Sequence, residues 1–216
     1  MKIGVPKEIK PQENRIGLTP ESVKILCSNG HEVLIENNGG FEAGFDNDQY
    51  KKTGAKIVNK VEDIFNDAEI IVKVKEPLSN EVKMIRENQI IFTYLHLAAA
   101  KELTEGLIKS KSVCIAYETV TDNNGKLPLL APMSAVAGRM SIQAGAHSLE
   151  KNQKGRGLLL GGAPGVDPAN VVILGGGVVG ENAALIATGM KANVYIVDKS
   201  EKRLQELKNI FGNKII

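Results

Sequence analysis

The chain is poor in the features that mark secreted, membrane-spanning and nucleic-acid-binding proteins. It has two cysteines, Cys27 and Cys114, far apart and each set among apolar residues. A disulfide scaffold is therefore excluded. Buried free thiols in a reducing compartment are the main reading, and a single disulfide is the lesser one. No apolar run approaches the roughly 20 residues that a membrane-spanning helix needs. The opening MKIGVPKEIK has no apolar segment of the secretory kind. An excess of one charge is missing too. The 27 basic and 25 acidic residues are intermixed, for a formal net charge of +2, so no basic block is present for nucleic acid or an acidic membrane surface. Repeats and low-complexity stretches are also lacking. These absences lead to the expectation of a cytoplasmic globular protein with neither nucleic acid nor membrane as partner. An apolar content of 43% over 216 residues suffices for one large domain or two small ones.

What is present is alternation. Short apolar, β-branched runs (KIGVP, EVLIE, AKIV, EIIVKV, QIIFTYL, VCIAYE, VVILG and NVYIVD) are separated by amphipathic stretches. Helices are expected over Pro20–Asn29, Asp46–Thr53, Glu81–Glu87 and Lys101–Ser110. The first has an explicit start, with Thr19 as N-cap, Pro20 at the first helical position and Glu21 in the first turn, and Gly30 sits where a left-handed cap would end it. Strand–helix alternation of this kind argues for a parallel sheet covered on both faces. A long helix is expected from about Ser134 to Lys151, with small residues at Ala135, Gly138, Ser141, Gly145 and Ser148, so that something packs very close to it. The fold class expected is α/β. A parallel-sheet substrate domain over residues 1–130 is followed over 131–216 by the connecting helix and the first half of a Rossmann-type dinucleotide-binding domain.

That second assignment rests on VVILGGGVVG. Gly175, Gly177 and Gly180 form G-x-G-x-x-G directly after a strand. The first permits the tight turn, the second lets the backbone approach a pyrophosphate, and the third lets the helix pack on the strand. The helix that follows offers unpaired N–H groups and a positive dipole end to phosphates. Asp198 ends the next strand where an acidic residue receives the ribose hydroxyls, and its charge favours NAD over NADP. A glycine run by itself is often only a turn, but here strand, glycines, helix, strand and acid occur in order.

Three polar residues stand out earlier in the chain. Arg15 lies in a polar loop just before the Thr19 cap, Lys75 ends one apolar strand and His96 ends another. Ligand crevices in open parallel sheets lie beyond the carboxyl ends of the strands, so Lys75 and His96 are where a site is expected. Taken singly, Arg15 reads as a solvated loop residue, Lys75 as a strand-end charge and His96 as a donor to a backbone carbonyl; taken together they favour a site.

Across its whole length the sequence resembles the alanine dehydrogenase family. MKIGVPKEIKPQENRIGLTP, IIVKVKEP, TYLHLAAA, LAPMSAVAGRMSIQAGAHSLEK, GRGLLLGGAPGV and VVILGGGVVGENAA are all similar to that family's motifs, in the same order. The resemblance implies reversible, NAD-dependent oxidative deamination of L-alanine to pyruvate and ammonia. It implies that Arg15 holds the substrate carboxylate and Lys75 hydrogen-bonds near the reacting carbon. His96 would be the general acid and base, and Met133 and Ser134 would border substrate and cofactor. Val178 and Val179 would join the three glycines in the cofactor loop, and Asp198 would take the adenosine ribose. Arg203 is read either beside that ribose or, equally, as a solvated helix charge. A homo-oligomer formed through the 134–151 helix is implied, and no metal is expected. The family continues well beyond the 18 residues that follow Asp198, so the expectation is a truncated gene product, a shortened piece or one part of a split protein. Two alternatives are kept. One is a transhydrogenase-type NAD-binding subunit, since the transhydrogenase α-subunit shares the GVPKE start; the other is a non-catalytic module that pairs with other subunits.

Overall fold

Six of the apolar runs pair side by side as a parallel sheet: β1 (Lys2–Val5), β2 (Glu32–Glu36), β3 (Lys56–Val58), β4 (Ile70–Val72), β5 (Ile90–Thr93) and β6 (Val113–Ala116). Their order is β3-β2-β1-β4-β5-β6, with Ile3 opposite both Val33 and Ile70. The computed structural model describes residues 1–216, and the chain divides into two compact units, Met1–Leu127 and Pro128–Ile216. No helix is long and apolar enough to cross a membrane.

In the first unit the sheet is covered by α1 (Pro20–Ser28), α2 (Asn47–Lys52), α3 (Val61–Asp67), α4 (Ser79–Val82) and α5 (Lys101–Ser110). Successive side chains of a strand point to opposite faces, and β2 shows the consequence. Val33 and Ile35 enter one core with Ile3, Val5 and Val23, while Leu34 enters the other with Ile64, Phe65, Ile71 and Ile91. A strand buried on both sides needs apolar residues without alternation, which is why these runs look continuous in the sequence. Thr19 caps α1 by accepting from the Ser22 amide at 3.3 Å, and Gly30 takes a left-handed φ of 81° just after the helix, as its cap signals predict. Helix α3 was not among the expected helices. It lacks a side-chain cap, and it is held by packing, with Ile64 so close to β1 that a Cβ on Gly4 would stand 2.6 Å from Ile64 Cγ2. Helix α4 begins and ends earlier than the expected Glu81–Glu87 because Glu81 folds back to accept from the Leu78 amide at 2.8 Å and starts the helix there.

The second unit contains α6 (Ala131–Ser148), β7 (Asn170–Leu174), α7 (Val178–Gly189), β8 (Asn193–Val197) and α8 (Glu201–Phe211). Helix α6 starts three residues before the expected Ser134. Pro132 lies in its first turn, where a missing N–H costs nothing. Strands β7 and β8 are parallel, with Ile173 opposite Ile196, and Ile215 bridges Val194 in the same sense as the start of a third strand. Ala183, Ala184, Ala187, Val194, Ile196 and Leu207 form the core of this unit. The small-residue face of α6 is used against α7: a Cβ on Gly138 would stand 2.2 Å from the Val179 carbonyl oxygen. One face of β7 leaves Val172 60% and Leu174 82% exposed.

Candidate functional site

In the first unit the direction of winding reverses between β1 and β4, because β2 and β3 lie to one side and β5 and β6 to the other. A crevice opens beyond the strand ends at such a switch point. The residues just past β1, β4, β5 and β6 there are unusually polar: Glu8, Lys73, Lys75, Glu76, His96 and Glu118. The loop carrying Arg15 lies over the end of β4, and Gly17 makes that approach possible, since a Cβ would stand 2.6 Å from the Val72 carbonyl oxygen.

Arg15 meets Glu13 as a fork. Its Nε donates to Oε1 at 2.8 Å and its Nη2 to Oε2 at 2.6 Å. The guanidinium, with lesser help from the Lys75 charge, brings the Glu13 carboxyl down to about 2. Lys75 is half-buried. Its amide donates to Glu8 Oε1 at 3.3 Å, and its carbonyl accepts from Thr93 Oγ1 at 2.9 Å. The lysine backbone is thus fixed from β1 and β5 while its side chain remains half-exposed in the crevice.

His96 sits in a left-handed backbone conformation, φ 51° and ψ 37°, which is uncommon away from glycine. The carboxylate of Glu118, just beyond β6, holds it there by accepting from the His96 amide at 2.7 Å and the Leu95 amide at 3.1 Å. Burial pushes the Glu118 carboxyl up, but these amides outweigh it and keep it below its ordinary value. The imidazole is exposed. Its Nδ1 stands 3.7 Å from Glu76 Oε2, and the other Glu76 oxygen pairs with Lys10. Burial also raises the Glu76 carboxyl, and the Lys10 ammonium more than reverses that. The Tyr94 ring lies 6.0 Å from that of His96 and 5.0 Å from that of Tyr117. Arg15, Lys75 and His96 therefore share one end of one sheet. Sequence reasoning missed Glu8, Glu13, Glu76, Tyr94 and Glu118. Tabulating every polar residue within five positions of a strand's carboxyl end would have found all but Glu13, which lies in the Arg15 loop.

In the second unit the glycine turn has the stereochemistry its sequence requires. Gly175 adopts φ 99°. A Cβ on Gly180 would stand 1.9 Å from the Gly175 carbonyl oxygen, whereas a Cβ on Gly177 would meet nothing within 4 Å. One glycine is demanded by the fold; the other leaves open space where a ligand's backbone-hugging group fits. Gly177 is the N-cap of α7, with Val178 and Val179 in its first turn. Asp198 Oδ2 accepts from the Gly176 amide at 2.6 Å and its Oδ1 from the Ser200 amide at 2.8 Å; these bonds hold its carboxyl below the ordinary value. Arg203 is not a solvated helix charge. Its Nε donates to the Gly176 carbonyl at 2.6 Å, its Nη1 pairs with Glu206 at 3.0 Å, and its Nη2 pairs with Glu181. Both polar atoms of the Gly176 peptide are thus fixed, one by an acid and one by a base.

On the α6 side of this turn lies a cavity of about 740 Å³ lined by Ser134, Gly175, Gly177, Val178, Val179, Gly180 and the apolar faces of α6 and β7. Met133 is half-buried in the first turn of α6 and is not among the lining residues. A side-chain-free turn, a helix N-terminus and a carboxylate at the next strand end fit the diphosphate and ribose of a dinucleotide.

Two family patterns match the chain: "Alanine dehydrogenase/PNT, N-terminal domain" over residues 4–137 and "Alanine dehydrogenase/PNT, C-terminal domain" over residues 141–216. An alanine dehydrogenase of Methanococcus maripaludis is 53% identical over 215 residues, covering 100% of this chain and 58% of that protein. One from Geobacillus stearothermophilus is 51% identical with the same coverage. A solved L-alanine dehydrogenase superposes with a TM-score of 0.92 at 53% identity, covering all of this chain and 59% of that one. A transhydrogenase from Sinorhizobium meliloti superposes with a TM-score of 0.82 at 23% identity, over 64% of its length, and shows the fold alone. The chain thus spans less than two thirds of the relatives it matches.

Proposed function

The chain belongs to the alanine dehydrogenase/PNT family, and we propose on that premise that it carries two parts of an NAD-dependent L-alanine dehydrogenase. The first unit is the substrate domain, and the second is the connecting helix with the adenosine-binding half of the dinucleotide site. The observation that carries the reading is the convergence of Arg15, Lys75 and His96 beyond the strand ends around the β1/β4 switch point. The reaction is L-alanine, water and NAD⁺ to pyruvate, ammonium, NADH and a proton, and it is reversible.

Arg15 holds the substrate carboxylate, for which a planar, permanently charged fork is suited. The forked pair it makes with Glu13 supports this reading, since the guanidinium already presents its two donors to a carboxylate there. Lys75, its backbone fixed at both polar atoms, donates to the oxygen or nitrogen on the reacting carbon and orients it. His96 turns Nδ1 toward Glu76, so Nε2 is the nitrogen that takes and returns the proton as water adds to the imine carbon and ammonia leaves. The nicotinamide, when bound, supplies the hydride chemistry. The residues that would hold the dinucleotide are Ser134, Gly175, Gly177, Val178, Val179, Gly180 and Asp198, with Arg203 fixing the turn and Met133 bordering the site. The Asp198 carboxylate repels a 2′-phosphate, which favours NAD over NADP. The same reading makes the protein cytoplasmic and a homo-oligomer that meets through the 134–151 helix, a view supported by Val136 and Met140 on α6, each 51% exposed.

The test is NADH oxidation by pyruvate and ammonium. It is run on this chain and on a chimera that appends the part of the Methanococcus maripaludis relative beyond the matched length. Ammonium-dependent NADH loss that disappears in His96→Ala is expected of the chimera. Turnover indifferent to ammonium, or unchanged by His96→Ala, would overturn the reading.

A further inference from the structure

The most deeply buried charges of the first unit have no part in this mechanism. The side chains of Glu8, Lys73 and Glu81 are 1–2% exposed. They come from the ends of β1 and β4 and from α4, and they meet in one chain of contacts. Lys73 Nζ stands 3.2 Å from Glu8 Oε2 and 2.8 Å from Glu81 Oε1. Each carboxylate turns its remaining oxygen to the β4–α4 loop. Glu8 Oε1 accepts from the Val74 amide at 2.6 Å and the Lys75 amide at 3.3 Å, and Glu81 Oε2 accepts from the Leu78 amide at 2.8 Å. One ammonium thus fixes two carboxylates, and each carboxylate fixes one end of the loop. A third carboxylate, Glu36 at the end of β2, lies nearby; burial pushes its carboxyl up, and it accepts from the Lys7 amide at 2.7 Å.

Stability by itself does not account for such a cluster. Three buried charges carry a large desolvation penalty, and well-packed apolar replacements are often as stable or more so. What apolar residues cannot do is accept hydrogen bonds from loop amides. The loop held in this way carries Lys75 and Glu76, the latter facing His96.

We propose that Glu8, Lys73 and Glu81 form a buried ionic clamp that positions the Val74–Leu78 loop, and with it Lys75 and Glu76, at the mouth of the crevice. These are positioning residues that act through the loop, and the functional weight of the clamp rests on the role of Lys75 given above.

The test is residue-resolved amide hydrogen exchange on the full 216-residue chain. In Glu8→Leu, which removes the acceptor, exchange at Val74 and Lys75 is expected to accelerate about tenfold or more while Ile71 and Ile91 in the sheet are unchanged. Uniform acceleration across the sheet, or none at the loop, would overturn the clamp. The triple variant E8L/K73M/E81L removes all three charges and both acceptors together and keeps the fold accessible if the single variant unfolds. If it folds with the loop amides still fast, the clamp stands; if loop protection returns to the wild-type level, the cluster is merely structural and the clamp falls. Neither readout needs substrate. Pyruvate added to wild type is a separate arm: failure to perturb the Arg15 and Lys75 side-chain resonances counts against the proposed substrate role and leaves the exchange result to decide the clamp.

Discussion

The two units build their sites in opposite ways. The first assembles charged side chains at the ends of strands that are far apart in the chain, and each is held by another: Arg15 by Glu13, the Lys75 amide by Glu8, the His96 amide by Glu118. The second works by omission. Its glycine turn presents no side chain, and the polar atoms that matter are backbone groups fixed by Asp198 and Arg203. A site made of side chains is sensitive to charge, tautomer and pH. A site made of backbone is sensitive to volume.

The largest contrast comes from His96→Ala in the chimera. The imidazole is exposed, so kcat should fall by about 10²–10⁴, the usual contribution of a general acid or base, with thermal unfolding and NADH affinity unchanged. Altered NADH affinity would break the separation between the two sites. Next is Gly180→Ala. Its Cβ would stand 1.9 Å from a backbone oxygen, and overpacking of this sort costs about 1–3 kcal/mol. Chemical denaturation should show the loss in the second unit, with the Arg15–Glu13 pair intact.

A pH titration follows. Glu13 has its carboxyl lowered from 4.5 to about 2 by the Arg15 hydrogen bonds. A group depressed on folding adds stability that is fully present above the unfolded value, and that stability disappears as pH falls from about 4.5 toward 2. The ¹³C carboxyl resonance should therefore show Glu13 titrating far below the other glutamates. A midpoint near 4.5 would mean that the fork is not formed. The smallest effect is the most discriminating. Gly177→Ala, whose Cβ meets nothing within 4 Å at a φ of −66°, should alter stability by no more than about 0.5 kcal/mol while weakening NADH binding by calorimetry. Equal destabilisation by Gly177→Ala and Gly180→Ala would show that the two glycines do the same job.

The same contrast explains how far the sequence could be read. The glycine turn was legible because everything it needs is contiguous: strand, glycines, helix and acid follow one another between Asn170 and Asp198. The six strands of the first unit were legible from their apolar runs, and all six begin within a residue of expectation. Helix α3 was not, because its seven residues carry no side-chain cap and only Ile64 and Phe65 are buried. Arg15, Lys75 and His96 were flagged by position alone, and nothing in their neighbourhoods announced their partners.

Local pattern, then, determined the α/β class, the nucleotide turn and the strand ends at which function was to be sought, since periodicity and turn stereochemistry act over a few residues. Tertiary structure decided the rest. It set β1 beside β4 and so brought Glu8 to Lys73, 65 residues away, and Glu118 to His96, 22 residues away. Those pairings follow from which crossovers pack on which face of the sheet, and no short window of sequence contains that information.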